Sequence, residues 1–287
     1  MLNEQSADFP LPVDFLAIGH ICRDLVPGGR VVGGAAAYTA ATAQALGCRA
    51  AAVTSSSPAE AWAVDLPGIA IHNVPAPETT IFENVYTPAG RTQTVHAVAA
   101  SLTTAAVPPA FARAPLVFLG PIANEVDPQL IDLFSNSIVG IGPQGWMRRW
   151  DERGHVYQVD WPDAARTLPL AAAVFVSTED LPNQAAIAEY ARLAPLLIVT
   201  EGASGCTVYY RGEARHFPAP AVGAVDTTGA GDIFAAAYLV RLLQTDGNFH
   251  EAAEFANRIA AHSVTRRGLT AKMDAIRCLS ADLATRY

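Results

Sequence analysis

Asp226–Asp232 reads DTTGAGD and opens directly onto IFAAAYLVRLL. Ile233, Phe234, Ala237, Tyr238 and Leu242 fall at helical spacing, so the stretch predicts a buried helix that begins at Gly229, Ala230 and Gly231. Backbone N–H groups at a helix start lack internal partners, and glycine lets a ligand come close, so GAG there is a natural anion cradle. Asp232, in the first turn, is expected to be held ionised by the same field. A carboxylate base beside an anion hole is what phosphoryl transfer to an alcohol requires: the base accepts the hydroxyl proton while the amides stabilise the moving phosphoryl group. The same residues also suit a tight turn with an acidic helix cap.

Around this stretch, short apolar runs alternate with Ala/Leu-rich helical stretches. VDFLAIG is a strand, AAAYTAATAQALG a helix ended by Gly47, and RAAAVTS a second strand. The rhythm returns at PLVFLG, DPQLIDLF and SIVGIG, then at AAVFVS, NQAAIAEYARLA and PLLIVT. That order predicts a three-layer α/β/α sandwich with a mostly parallel central sheet, as one domain over residues 1–287. Residues 79–98 break the rhythm: two β-prone runs flank a turn at Pro88, Ala89 and Gly90, which predicts a hairpin serving as a small lid or as an edge hairpin.

The composition fits a compact protein: 287 residues, 51% of them hydrophobic and 16% charged. A net charge of −8 and a single lysine argue against nucleic acid as the main partner. No run of about 20 uncharged apolar residues suggests a membrane span. Residues 1–12, MLNEQSADFPLP, read as a loose tail and not as a secretory signal. Cys22, Cys48, Cys206 and Cys278 have neither metal-ligand spacing nor the density of a disulfide scaffold, so a reducing, cytoplasmic setting is expected.

Several signatures fail. Lys272, in LTAKMDA, follows no glycine-rich loop, which excludes a Walker A site and makes pyridoxal chemistry improbable. GAGDIF lacks the third glycine of a dinucleotide fingerprint, GASGC places its second glycine one residue early for a nucleophile elbow, and HEAAE lacks the second histidine of a zinc protease.

With DTTGAGD near its C-terminal end, IGHICRD and GGAAAYTAATAQALG near its start and VTEGASGCTVYY between, the chain resembles the ribokinase family of sugar kinases, also called pfkB carbohydrate kinases. The resemblance implies a ribokinase-like fold and ATP with Mg²⁺ as cofactors. It implies Asp232 as catalytic base, Gly229, Ala230 and Gly231 as anion hole, and Asp24 as substrate ligand with the backbone of Gly33 and Gly34. Thr200, Gly202 and Gly205 are implied to face the nucleotide and Asn257 to lie near the adenine, unless Asn257 is simply a polar residue on a helix surface. Asp226 and Thr228 resemble positions that hold a monovalent cation in some members, although Asp226 equally suits an Asx-turn.

Four departures shape the expectation of substrate. Where many members have asparagine, this chain has Tyr38, an aromatic that stacks on a ring instead of hydrogen-bonding it. The Asn-x-x-Glu element that organises magnesium is matched best by STED, giving Asp180 as the water-mediated Mg²⁺ residue with Glu179 as rival. GPQGWMRRWDERG offers Gln144 and Arg148 for substrate or phosphate, similar to the inositol-kinase-like branch. The span from Asp24 to Gly33 leaves room for little more than a turn or stunted hairpin, so the lid is expected mainly from 79–98 with a short contribution from 24–33. A reduced lid leaves monomer and homodimer both open. The function implied is phosphorylation of a hydroxyl on a small sugar, polyol or cyclitol, inositol-like first. Alternatives are a nucleoside or ketose kinase and a nucleotide- or metabolite-binding protein without turnover.

Overall fold

Phe15 and Ala17 in strand β1 (Phe15–Ile18) enter one buried cluster, while Leu16 and Ile18 enter another on the opposite side. Strand side chains alternate across a sheet, so β1 must be covered on both faces. The same split recurs in β8 (Leu116–Leu119), β12 (Ala173–Ser177) and β13 (Leu196–Thr200). A computed structural model describes residues 12–284 apart from 88, 89 and 182. Of the tail expected over residues 1–12, the first eleven residues lie outside the described residues, as do the turn residues Pro88 and Ala89.

Among the described residues the main sheet has nine strands. With β4 (Ala50–Ser56), β5 (Ala70–Pro75), β9 (Ile138–Ile141), β14 (Cys206–Tyr210) and β15 (Glu213–Phe217), its order is β15-β14-β13-β12-β9-β8-β1-β4-β5. Neighbours from β13 across to β5 are parallel, and β14 and β15 add an antiparallel edge. The chain fills one side of β1 with β4 and β5, then returns to the other side with β8. Order therefore reverses between β1 and β8, and a crevice opens beyond their carboxyl ends.

On the face holding Phe15 lie α1 (Ala35–Ala45), α5 (Ala230–Gln244), α6 (Phe249–Ser263) and α7 (Leu269–Ala284), with the single turn α2 (Trp62–Asp65); the opposite face carries α4 (Gln184–Leu193) and the single turn α3 (Ala164–Thr167). Together they make the α/β/α layers. Buried almost all round, α1 keeps its two threonines satisfied internally, Thr39 and Thr42 donating to the carbonyls of Ala35 and Tyr38 at 2.7 Å. One helical expectation shortens: DPQLIDLF forms a 3₁₀ helix, Pro128–Phe134, capped by Asp127. Its three-residue period stacks Ile131 above Phe134 against the core.

A second sheet has the order β3-β2-β6-β7, from β2 (Cys22–Val26), β3 (Gly29–Gly33), β6 (Ile81–Thr87) and β7 (Gly90–Ala97). The contribution of 24–33 is not stunted: β2 and β3 are five-residue strands joined through Pro27 and Gly28, the latter at φ +92. A two-residue turn consumes so little chain that a full hairpin fits. Beside β7, the hairpin β10 (Arg148–Trp150) and β11 (Val156–Gln158) pairs through a Thr94–His155 bridge.

Candidate active site

The carboxyl ends of β8, β9, β12 and β13 face the second sheet across a cavity of about 380 Å³, whose walls include Asp24, Tyr38, Gln144, Arg148, Asp180 and Asp232. A second cavity of about 320 Å³ shares Gln93, Gln144, Arg148, Glu179 and Asp180 with it.

Gly229 is the N-cap of α5, in the left-handed region at φ 71, and a Cβ there would stand 2.3 Å from the Tyr38 ring. Both facts require glycine. No side chain caps the helix start. The Ala230 N–H is turned to the Thr227 carbonyl at 3.1 Å, so of the donors expected to cradle an anion at the helix start, Ala230 is engaged and the N–H groups of Gly231 and Asp232 follow it. Asp232 departs from expectation: its carboxyl is pushed up to about 7, by burial first and by the Asp180 charge second, against the downward pull of Arg148. Desolvation has overcome the helix field.

Asp226 forms the Asx-turn, Oδ1 accepting from Thr228 N at 2.9 Å and Oδ2 from Gly268 N at 3.0 Å. Burial pulls its carboxyl up, but these bonds and the charge of Lys272 prevail and hold it below the usual range. The main-chain carbonyls of Asp226 and Thr228, where a monovalent cation was expected, accept from Lys272 Nζ at 2.8 and 2.5 Å.

Asp24 stands on β2 with Oδ1 accepting from the Cys22 thiol at 3.8 Å, and burial raises its carboxyl to about 6. Gly33, on β3 and paired with Cys22, does not line the cavity; a Cβ there would come within 2.2 Å of Asp24 Oδ2, so this glycine makes room for the carboxylate. Gly34, at φ 95 with no room for a Cβ beside the His20 carbonyl, does line it. Tyr38, Phe82, Phe118 and Phe175 give the pocket aromatic walls.

Gln144 donates to Asp180 Oδ1 at 2.9 Å, while Asp180 Oδ2 accepts from the backbone and hydroxyl of Ser177 at 2.9 and 2.7 Å. Arg148 is 9% exposed and shares this wall. Among the described residues no cluster of three or more His, Cys, Asp or Glu could cage a metal. Two carboxylates on one wall still fit Mg²⁺, which keeps several waters and takes its remaining oxygens from phosphates.

Thr200 and Gly202 line the cavity; Gly205 and Asn257 do not. Gly205, at φ 103, makes the tight turn into β14 against the Phe217 carbonyl. Asn257 is buried and donates to that carbonyl at 2.9 Å, tying α6 to β15, so its amide is spent on the fold.

Residues 160–276 match the model of the pfkB family carbohydrate kinases. The chain is similar to the probable fructokinase-5 of Arabidopsis thaliana, 46% identical over 79 residues that make 25% of this chain and 24% of that protein. It is also similar to the inositol 3-kinase of Zea mays, 39% identical over 145 residues, 46% of this chain and 38% of the relative. The matched segments thus span well under half of these relatives' length. A pyrophosphate-dependent kinase of the ribokinase family, solved with a pyrophosphate analogue and myo-inositol, shares the fold at a TM-score of 0.77 and 22% identity, covering 91% of this chain and 98% of that one.

Sequence reasoning missed three features of the site. Asn84 and Gln93 reach the cavity from paired positions on β6 and β7, Gln93 Nε2 donating to Asn84 Oδ1 at 3.0 Å; the alternation of residues 82, 84, 93 and 95 was the available signal. Glu125, 2% exposed, accepts from the N–H groups of His20, Ile122 and Ala123 and fixes the loops behind the pocket, with no local motif to announce it. Lys272 is fully buried, and only its being the chain's sole lysine set it apart.

Proposed function

We propose that this chain is a single-domain carbohydrate kinase that transfers a phosphoryl group from ATP to a hydroxyl of a small cyclitol or sugar, with an inositol-like ring favoured. The observation that carries this reading is Asp232, a carboxyl raised to about 7 in the same cavity as the uncapped start of α5 and the Asp24 carboxylate. A base poised near neutrality both exists in its deprotonated form and retains affinity for a proton. Asp24 accepts acceptor hydroxyls, two at once if they are vicinal. Asp232 takes the proton from the hydroxyl that attacks, and the Gly231 and Asp232 N–H groups receive the phosphoryl oxygens as charge moves onto them. Arg148 adds a positive charge to the same wall. Mg²⁺, held through water by Asp180 or Glu179, would neutralise phosphate charge when bound.

The second sheet serves as the lid, excluding water from the cleft. Four free cysteines support a reducing, cytoplasmic setting, and a hydroxylic small molecule is the partner, with no role for nucleic acid or membrane. The protein would act as a monomer or homodimer. The cyclitol preference rests on Tyr38 and the aromatic walls, and on the named activity of the maize relative; ketoses come next, as for the Arabidopsis relative.

A second reading of the donor follows from Gly205 and Asn257. With neither at the cavity, recognition of the nucleotide loses two expected contacts, the one near the adenine among them, and inorganic pyrophosphate suits a site that holds phosphates alone. Incubation with Mg²⁺, either donor and a panel of cyclitols, sugars and nucleosides separates these readings: ADP release supports ATP, orthophosphate release supports pyrophosphate. Asp232→Asn is expected to lower kcat by about 10³-fold or more while the variant stays folded. Near-normal turnover in that variant would remove Asp232 from the role of base, and binding without turnover on every candidate would favour a metabolite-binding protein.

A further inference from the structure

Burying an ammonium group is unfavourable unless other groups replace its water, and this chain buries its only lysine. Lys272, on α7, reaches back to the loop before α5. Its Nζ donates to the carbonyls of Asp226 and Thr228 and lies 3.4 Å from Asp226 Oδ2. It also lies 5.9 Å from the centre of the Tyr38 ring, whose face is packed against Gly229. Two carbonyls and a carboxylate oxygen converging on one point would repel one another without a cation between them. Potassium or ammonium would be held by the same set of oxygens.

The loop so gathered immediately precedes the phosphate-binding amides. Fixing the carbonyls at 226 and 228 fixes the peptide planes that feed Gly229, and through them the direction of the Gly231 and Asp232 N–H groups. The loop's other ties, Val225 and Asp226 N–H to the Val264 carbonyl and Gly268 N–H to Asp226, lead to the same α6–α7 junction. We propose that Lys272 is a positioning residue acting as a built-in monovalent cation: its ammonium organises the anion-binding loop, so that phosphate binding and transfer need no added potassium. The part of this proposal that concerns turnover rests on the kinase reading above; the part that concerns anion binding does not.

The test compares wild type, Lys272→Ala and Lys272→Met in choline, potassium and ammonium chloride, reading pyrophosphate binding by calorimetry and turnover with the better donor. Wild type is expected to bind and turn over equally in all three salts. In choline both variants should bind pyrophosphate about tenfold more weakly and lose kcat by about 10²-fold, with the acceptor KM within about twofold. Ammonium should restore Lys272→Ala by about tenfold or more, because truncation leaves space for it, and should leave Lys272→Met, whose side chain fills that space, unrestored. A folded Lys272→Ala with wild-type pyrophosphate binding, a loss that no small cation repairs, or a wild type that itself requires potassium overturns the proposal; the last needs no variant to fold. Wild-type binding without turnover removes the kinase reading and leaves the binding comparison to decide the role of Lys272. A wild type with neither refutes both.

Discussion

Asp232 is a contest between two effects of known size. A helix N-terminus favours a nearby anion by about 0.3–1 kcal/mol, or about 2 in partly buried geometry. Desolvation moves a buried carboxyl by up to about 3–5 pKa units, at about 1.4 kcal/mol each, and so prevails. The carboxyl at about 7 also feels two neighbours of opposite sign, Asp180 upward and Arg148 downward. If Asp232 is the base, kcat/KM rises with pH, its upper ionisation near 7 belonging to Asp232, and then levels. Asp180→Asn should move that limb to lower pH and Arg148→Ala to higher pH, read from pH–rate profiles; unmoved limbs would assign the ionisation elsewhere. The sequence placed Asp232 in the first turn correctly and misjudged its charge, because the burial comes from residues distant along the chain.

At the scale of elements, α5 owes its start to Gly229. Alanine there would meet a left-handed backbone and the Tyr38 ring together, whereas a Cβ at Gly231 meets nothing within 4 Å. Gly229→Ala should therefore cost about 2–3 kcal/mol of stability together with most activity. Gly231→Ala should leave the melting temperature near wild type and weaken donor binding, as its methyl projects into the cavity. Calorimetry on both variants checks the contrast. Regular strands and helices were legible because apolar periodicity is local: Phe15–Ile18, Ala35–Ala45 and Ala230–Gln244 fall where the pattern put them. The hairpin from Cys22 to Gly33 was undervalued because a two-residue turn leaves almost no trace in length. Gly205 and Asn257 were assigned to the ligand when Gly205 shapes the turn between β13 and β14 and Asn257 bonds to Phe217 on β15, a partner 40 residues away and invisible before folding.

Across the whole molecule, Asp24 and Asp232 both carry carboxyls raised above the unfolded value of 3.8, to about 6 and about 7. A raised carboxyl means that the folded state holds protons that the unfolded chain has released. Their contribution is fully present below about pH 4 and is lost as pH climbs through 6 and 7. Urea unfolding at a series of pH values should show stability falling between about pH 4 and 7, and the double variant Asp24→Asn, Asp232→Asn should flatten that slope; an unchanged slope would mean that other groups carry it. The cleft that imposes this cost is bounded by two sheets, and the chain crosses between them through a knot of buried bonds. His20 N–H meets Glu125, Ile21 N–H meets Thr54 Oγ1, and the His20 ring bridges Thr80 Oγ1 and the Ala100 carbonyl. Thr80 Oγ1 in turn accepts from Ala99 N–H. Swinging the small sheet away would strip several of these groups of their partners at once, out of reach of water. The width of the cleft is accordingly set when the chain folds and not when a ligand arrives, so selectivity among guests becomes a matter of fit to a fixed mould, with little adaptation to those of a different size.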